Sequence, residues 1–277
     1  MVDYDRAMRA LAFLALATAS CSVVTSREII ACDGTGEESF DPAVTAESLA
    51  EHCWFNDLDE EHTFPSDGDL VVVGSDPGNG QPQWSGAVEG PLLYRVFDSS
   101  FLLVTRVEIL NRVSANLCLS SEQRAGLVLR SRDGDEPVTL FVHTAPSELD
   151  CKLEGGANIE ATVQSGGTSG SLSDLSPQGV GVDGEADIAV CRVGDILAFY
   201  VRDPTSTTDA PTWEEVETPV AIQRGGIVEA GLAAAGAPDT ATPFGIEAHF
   251  TWVAFDDSVG ADGCSRALED LVLPQAE

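Results

Sequence analysis

The side chains best placed to do chemistry in this chain are arginines and aromatics on alternating strands. If Leu197, Phe199 and Val201 face a core, Tyr200 and Arg202 face the other side of their strand. The same alternation turns Arg130 outward beside Leu127 and Leu129, and leaves Phe141 and His143 outward beside Leu140 and Val142. Arg130, Phe141, His143, Tyr200 and Arg202 are therefore candidate ligand-binding residues, because aromatic faces stack on sugar rings and a guanidinium fork donates to hydroxyls or carboxylates. The rival reading makes them packing and salt-bridge partners beneath covering loops. Acid–base and nucleophile sets are harder to find. The four histidines, His52, His62, His143 and His249, are scattered, and no two have metal-ligand spacing. No G-x-S-x-G nucleophile elbow occurs. The groups Asp133-Gly134-Asp135-Glu136, Asp183-Gly184-Glu185 and Asp256-Asp257 with Asp262 offer the hard oxygens that calcium takes, yet none fits an EF-hand loop, and short Asp-Gly groups commonly make turns. A structural calcium stays open, and no other cofactor is expected.

The elements that must position these residues are β-strands. Runs rich in Val, Leu, Phe and Tyr recur between Gly, Pro, Asp and Ser clusters, at Leu70–Val73, Leu92–Phe97, Phe101–Leu110, Ala125–Arg130, Val138–Thr144, Ile159–Val163, Ile188–Val193, Ile196–Arg202, Trp213–Val216, Ile227–Ala233 and Ile246–Phe255. With no long amphipathic helix between them, they predict an all-β, antiparallel two-sheet sandwich with few short helices. The clearest local feature is a hairpin, in which Gly194-Asp195 joins two alternating arms, Ala189–Val193 and Ile196–Arg202. Ala43 to His52 is expected to form one short helix, and the Gly/Ser-rich stretch Gln164–Ser171 reads as part of a long surface loop.

Charge and the first residues bound the setting. Forty-six acidic residues against fourteen basic ones give a net charge of −32, with Lys152 the sole lysine. Such a surface excludes nucleic acid and charge-driven binding to an anionic membrane, and suits a salty medium that screens its self-repulsion. Arg6 and Arg9 precede an apolar run, Ala10 to Ala19, too short to span a bilayer and ending in small residues, which marks an export signal. Leu16-Ala17-Thr18-Ala19-Ser20-Cys21 resembles a bacterial lipoprotein box, with Cys21 the lipidated first residue of the mature protein; Ala17-Thr18-Ala19 also reads as an ordinary cleavage site. The protein is accordingly expected to be exported, and either lipid-anchored in the cell envelope or secreted, with no membrane contact beyond the lipid. The expected layout is residues 1–21 leader, 22–42 polar tether, 43–260 sandwich and 261–277 tail.

Setting Cys21 aside leaves six cysteines, Cys32, Cys53, Cys118, Cys151, Cys191 and Cys264, with no C-x-x-C pair among them. In an exported chain these are expected to form disulfides. A Cys32–Cys264 bridge tying the two ends and a local Cys32–Cys53 loop are both compatible with the spacing.

Taken in order, several short runs resemble one known superfamily. They are Asp67-Gly68-Asp69-Leu70-Val71-Val72, Gly90-Pro91-Leu92-Leu93-Tyr94-Arg95, Phe101–Val107, Gln123-Arg124-Ala125-Gly126-Leu127-Val128-Leu129-Arg130, Arg192-Val193-Gly194-Asp195 before Phe199-Tyr200-Val201-Arg202, Asp209 four before Trp213, and Phe250-Thr251-Trp252-Val253-Ala254-Phe255. The order resembles the concanavalin A-like lectin/glucanase superfamily, particularly its small jelly-roll domains in secreted bacterial proteins and appended to glycosidases. The resemblance covers roughly Phe40 to Asp257. It implies two antiparallel sheets, one of them curved, with a concave face where relatives bind sugars; a glycan or cell-surface component is then the expected partner. Its laminarinase-type members use an E-x-D-x-x-E strand, because retaining hydrolysis needs two carboxylates about 5 Å apart. Glu214, Glu215 and Glu217 come nearest but lack the central aspartate, and they read as a solvated edge. The expectation is therefore a non-catalytic binding domain, with an envelope scaffold and a divergent glycoside hydrolase as the alternatives.

Overall fold

The computed structural model describes residues 35–39, 54–56, 70–74, 84, 90, 92–111, 124–131, 138–144, 157–165, 168–175, 185–202, 204, 212–216, 220–221, 227–235, 246–260 and 263–270. All belong to one compact unit, Ala31–Glu277. The strands are β1 (Thr35–Ser39), β2 (Phe55–Asn56), β3 (Leu70–Gly74), β4 (Leu92–Phe97), β5 (Phe101–Asn111), β6 (Arg124–Ser131), β7 (Val138–Thr144), β8 (Ala157–Ser165), β9 (Thr168–Leu175), β10 (Glu185–Val193), β11 (Ile196–Arg202), β12 (Glu214–Glu215), β13 (Val220–Ala221), β14 (Val228–Ala235) and β15 (Ile246–Asp256). One helix, α1 (Cys264–Asp270), follows them.

The strands form two sheets. An eight-stranded sheet runs β1-β15-β5-β10-β11-β12, with β3 also on β15 and β13 also on β11; a seven-stranded sheet runs β2-β4-β14-β6-β7-β8-β9. Every pairing is antiparallel. This is the two-sheet sandwich expected from the sequence, and all eleven anticipated strands are present. The core between the sheets takes alternate residues from each, such as Leu127 and Leu129 of β6 against Ile188 of β10 and Phe199 of β11. Phe97 and Phe101 stack at 4.2 Å where the chain crosses from one sheet to the other.

Local chemistry explains the turns. Gly194 holds φ +60° while Asp195 does not, which matches a type II′ turn and puts Val193 opposite Ile196. In β15 the register shifts between Phe250 and Trp252, so Thr251 bulges into solvent and Trp252 turns to the sheet's outer side. Buried Thr105 donates its hydroxyl to the Trp252 carbonyl at 2.6 Å, satisfying an acceptor at the bulge.

Four features depart from the reading above. Residues 35–39, placed in the tether, form β1 and pair with β15. Of the Gly/Ser stretch, Gln164 and Ser165 end β8 and Thr168 to Ser171 begin β9, so these residues extend the seven-stranded sheet rather than form a loop. The segment assigned to the tail carries α1, whose Leu268 is buried on the eight-stranded sheet's outer face. Cys264 bonds Cys191 across a Cα–Cα distance of 5.8 Å, which overturns the Cys32–Cys264 bridge: Cys191 points outward from β10, and α1 brings Cys264 over it. Cys21, Cys32, Cys53, Cys118 and Cys151, together with the expected helix from Ala43 to His52, lie outside the described residues.

Candidate functional site

The five sequence-chosen residues do not form one floor. Tyr200 and Arg202 lie on the outer face of the eight-stranded sheet, whereas Arg130 and Phe141 are on the seven-stranded sheet, with the core between the two. Alternation decides which residues on a strand point away from the core, but not which sheet the strand joins.

On the eight-stranded sheet, the outer face is locked. Trp252, Arg106, Asp187 and Arg202 stand in register across β15, β5, β10 and β11. Asp187, with no exposed surface, accepts from Arg106 at 2.7 and 3.2 Å and from Arg202 Nε at 2.8 Å, with a further short contact from Arg202 Nη2. The two guanidinium groups sit over Trp252 and Trp213, at 5.9 and 5.0 Å. Burial works against the Arg106 charge, but the bonds to Asp187 and the nearby Glu185 more than offset it, so its pKa stands above the ordinary value. Beside this row, α1 and its disulfide cover Tyr200, which is hydrogen-bonded to Ser265. Burial is the main reason its pKa is raised, with Glu215 adding to the shift and the Ser265 bond opposing it. Arg202 Nε and Nη2 are committed to Asp187 and Tyr200 is roofed, so this face holds the fold together.

The seven-stranded sheet has a different outer face. Its interior strand β14, between β4 and β6, presents only small residues beyond Glu229, namely Gly231, Ala233 and Ala235. These are flanked in register by Tyr94 and Val128 beside Gly231, by Leu92 and Gly126 beside Ala233, and by Arg124 beside Ala235. Phe141 follows Gly126 on β7. At Gly231 an added Cβ would lie 1.9 Å from the Leu93 carbonyl oxygen, so close approach of β4 demands glycine there. The result is a stripe of small residues between larger ones, a trough in the level of the side chains with Tyr94 on one side and Phe141 on the other.

Polar groups stand at both ends of the trough. Arg130 donates from Nε to Glu229 Oε2 at 2.6 Å, and its guanidinium carbon lies 5.3 Å from the centre of the Tyr94 ring. Arg124 lies 5.5 Å over Phe141. His143 is registered opposite Arg124 and Asn158, its side chain being outside the described residues. Trp84, Leu92, Tyr94, Val96, Val128, Phe141, Ala233 and Ala235 form one buried cluster here, so the trough is filled. Arg130 and Phe141 of the sequence-chosen set therefore share this face, and Trp84, Tyr94, Arg124 and Glu229 join them. The signal for Glu229 was one charge inside an otherwise small, apolar strand; nothing local marked Trp84.

The acidic groups considered for calcium are only partly described. Asp256 directs Oδ1 at the amide and hydroxyl of Ser258, at 2.7 and 2.6 Å, as a turn-forming aspartate does. Among the described residues no group of three or more His, Cys, Asp or Glu is placed to hold a metal ion.

Comparison with known proteins places the fold. No protein-family model matches the sequence. No curated protein matches it in sequence either. Among solved structures, a GH43 protein from Bacillus licheniformis superposes with a TM-score of 0.55 at 11% identity, over 79% of this chain and 39% of that one. A xylan β-1,4-xylosidase from Bacillus halodurans gives 0.52 at 16% identity, over 79% and 38%. A functionally unknown protein from Saccharomyces cerevisiae gives 0.50 at 15% identity, over 75% of this chain and 96% of that one. The match takes in less than half the length of each Bacillus chain. At these identities the likeness is one of fold alone.

Proposed function

We propose that this protein is an exported, non-catalytic component of the cell envelope whose jelly-roll domain binds a glycan or another surface component on the outer face of the seven-stranded sheet. The observation that carries the reading is the Arg130–Glu229 pair at the end of a trough floored by Gly231, Ala233 and Ala235 and walled by Tyr94 and Phe141. Small residues on the floor set it below its neighbours, aromatic side chains suit the apolar face of a sugar ring, and a guanidinium–carboxylate pair can donate to and accept from its hydroxyls. The sequence resemblance to the concanavalin A-like superfamily, whose members bind sugars on a sheet face, supports the same choice. Export, with Cys21 lipidated or the chain released, rests on the leader alone.

A scaffold reading is favoured by one observation: Tyr94 is 2% exposed and Phe141 fully buried. The test is a glycan-array screen of the purified chain in high salt, with and without calcium. Reproducible, saturable binding to one glycan class is expected. No binding under either condition would transfer the protein to the scaffold class.

A further inference from the structure

Trp84 sits in the trough under unusual conditions. Among the described residues it alone is a non-glycine with positive φ, at 56°, a conformation disfavoured for bulky side chains. It is 2% exposed, and its indole N–H is buried with no acceptor. Trp54 and Trp252 also lack an acceptor for their N–H, but neither has positive φ; Trp54 lies in the intersheet core, and Trp252 lies beside Arg106. Among the described residues, a disfavoured backbone and an unmet donor coincide at Trp84 alone, on the small-residue face.

We propose that Trp84 is a resident plug: in the ligand-free protein its ring fills the trough that a sugar ring takes when bound, and binding displaces it. This rests on the reading of the seven-stranded face as the binding site. The indole brings to this buried cluster with Tyr94, Phe141, Ala233 and Ala235 the kind of flat apolar surface that a sugar ring also carries, but its N–H gains no hydrogen bond there. Leaving the trough would let that donor reach water and free the backbone to relax, so both features lower the barrier to displacement. The ligand class is a pyranose oligosaccharide, whose hydroxyls would meet Arg130 and Glu229 where the indole offers no polar partner. Affinity is then reduced by the fraction of molecules in which the plug is seated.

The test uses the full chain and xylohexaose, cellohexaose and hexagalacturonate as probes, with affinity read by calorimetry. Trp84→Gly suits the positive φ and removes the plug, so any probe the wild type binds should bind about tenfold more tightly or better, as loss of a displacement cost near 1.4 kcal/mol predicts. In the wild type, saturating probe should raise acrylamide quenching of tryptophan fluorescence, and Trp84→Phe should abolish that rise; this readout stands even if Trp84→Gly does not fold. Wild-type binding with equal or weaker affinity in a folded Trp84→Gly, or with no change in quenching, overturns the plug and leaves the binding site intact. Failure of wild type and Trp84→Gly alike to bind any probe, with the array also blank, overturns both the site and its plug.

Discussion

Arg130 and Glu229 stand directly opposite each other on β6 and β14, and the 2.6 Å bond between them is made on the outer face where β14 otherwise carries only glycine and alanine. Two side chains able to reach beyond their own backbone are thus held together at the edge of a trough. Each fixes the other's rotamer, and the Tyr94 ring supports the guanidinium. Replacing Glu229 by Ala should cost about 1–3 kcal/mol of stability, the range for a largely buried charge-assisted bond, and should weaken glycan binding. Urea denaturation, with an unchanged m-value, checks the first part.

Asp187 holds two guanidinium groups with one buried carboxylate. Asp187→Ala leaves Arg106 and Arg202 without their shared acceptor beneath Trp252 and Trp213, and should destabilise the fold by about 3–5 kcal/mol. Arg202→Met leaves the Arg106–Asp187 pair intact and should cost less. Thermal unfolding of the two variants side by side distinguishes these outcomes.

Tyr200 reports on the α1 roof. Its pKa is raised, mainly by burial, so the stability linked to its neutral form is fully present below the ordinary tyrosine value of 10.0 and is lost as pH rises through the higher folded value. The wild type should therefore lose stability on the alkaline side more steeply than Tyr200→Phe. Cys264→Ser frees α1, exposes the tyrosine and should lower its pKa toward the ordinary value, while removing about 2–5 kcal/mol of disulfide stabilisation. Tyrosinate absorbance followed against pH in the three proteins checks the order.

Gly231 and Gly126 are required by geometry. A Cβ at Gly231 would meet the Leu93 carbonyl oxygen at 1.9 Å; one at Gly126, where φ is +152°, would meet the Leu140 carbonyl oxygen at 2.3 Å. Both obstacles are backbone, so neither can yield by a rotamer change. Gly231→Ala and Gly126→Ala should each destabilise by about 1–3 kcal/mol, as overpacking and backbone strain do, whereas Gly194→Ala, with nothing within 4 Å, pays only for its turn conformation. Chemical denaturation of the three variants provides the comparison.

Strand positions were legible because burial on one side leaves a period-two pattern. The hairpin about Gly194-Asp195 appears in the structure as the alternation of its arms predicts. Segments whose sequence carries no apolar alternation left no such trace. Thr35–Ser39 is polar throughout and becomes a strand only because β15 offers it an edge, and Thr168–Leu175 gains its place from β8. Arg130, Phe141, Tyr200 and Arg202 stand away from the core of their own strands, but Tyr200 and Arg130 are separated by sheet membership, a long-range property that no local pattern holds. Asp187 was missed because the apolar run began one residue after it, at Ile188. Trp84 was missed because its backbone angle and its unmet donor exist only in the folded chain.

The central claim is that glycan binding belongs to the seven-stranded face and not to the roofed one. It is tested most directly by repeating the glycan array with Arg130→Ala and Tyr200→Phe beside the wild type, each first shown to be folded. Binding abolished in Arg130→Ala and retained in Tyr200→Phe is the predicted result. Binding retained in Arg130→Ala and lost in Tyr200→Phe, or absent from all three proteins, would contradict it.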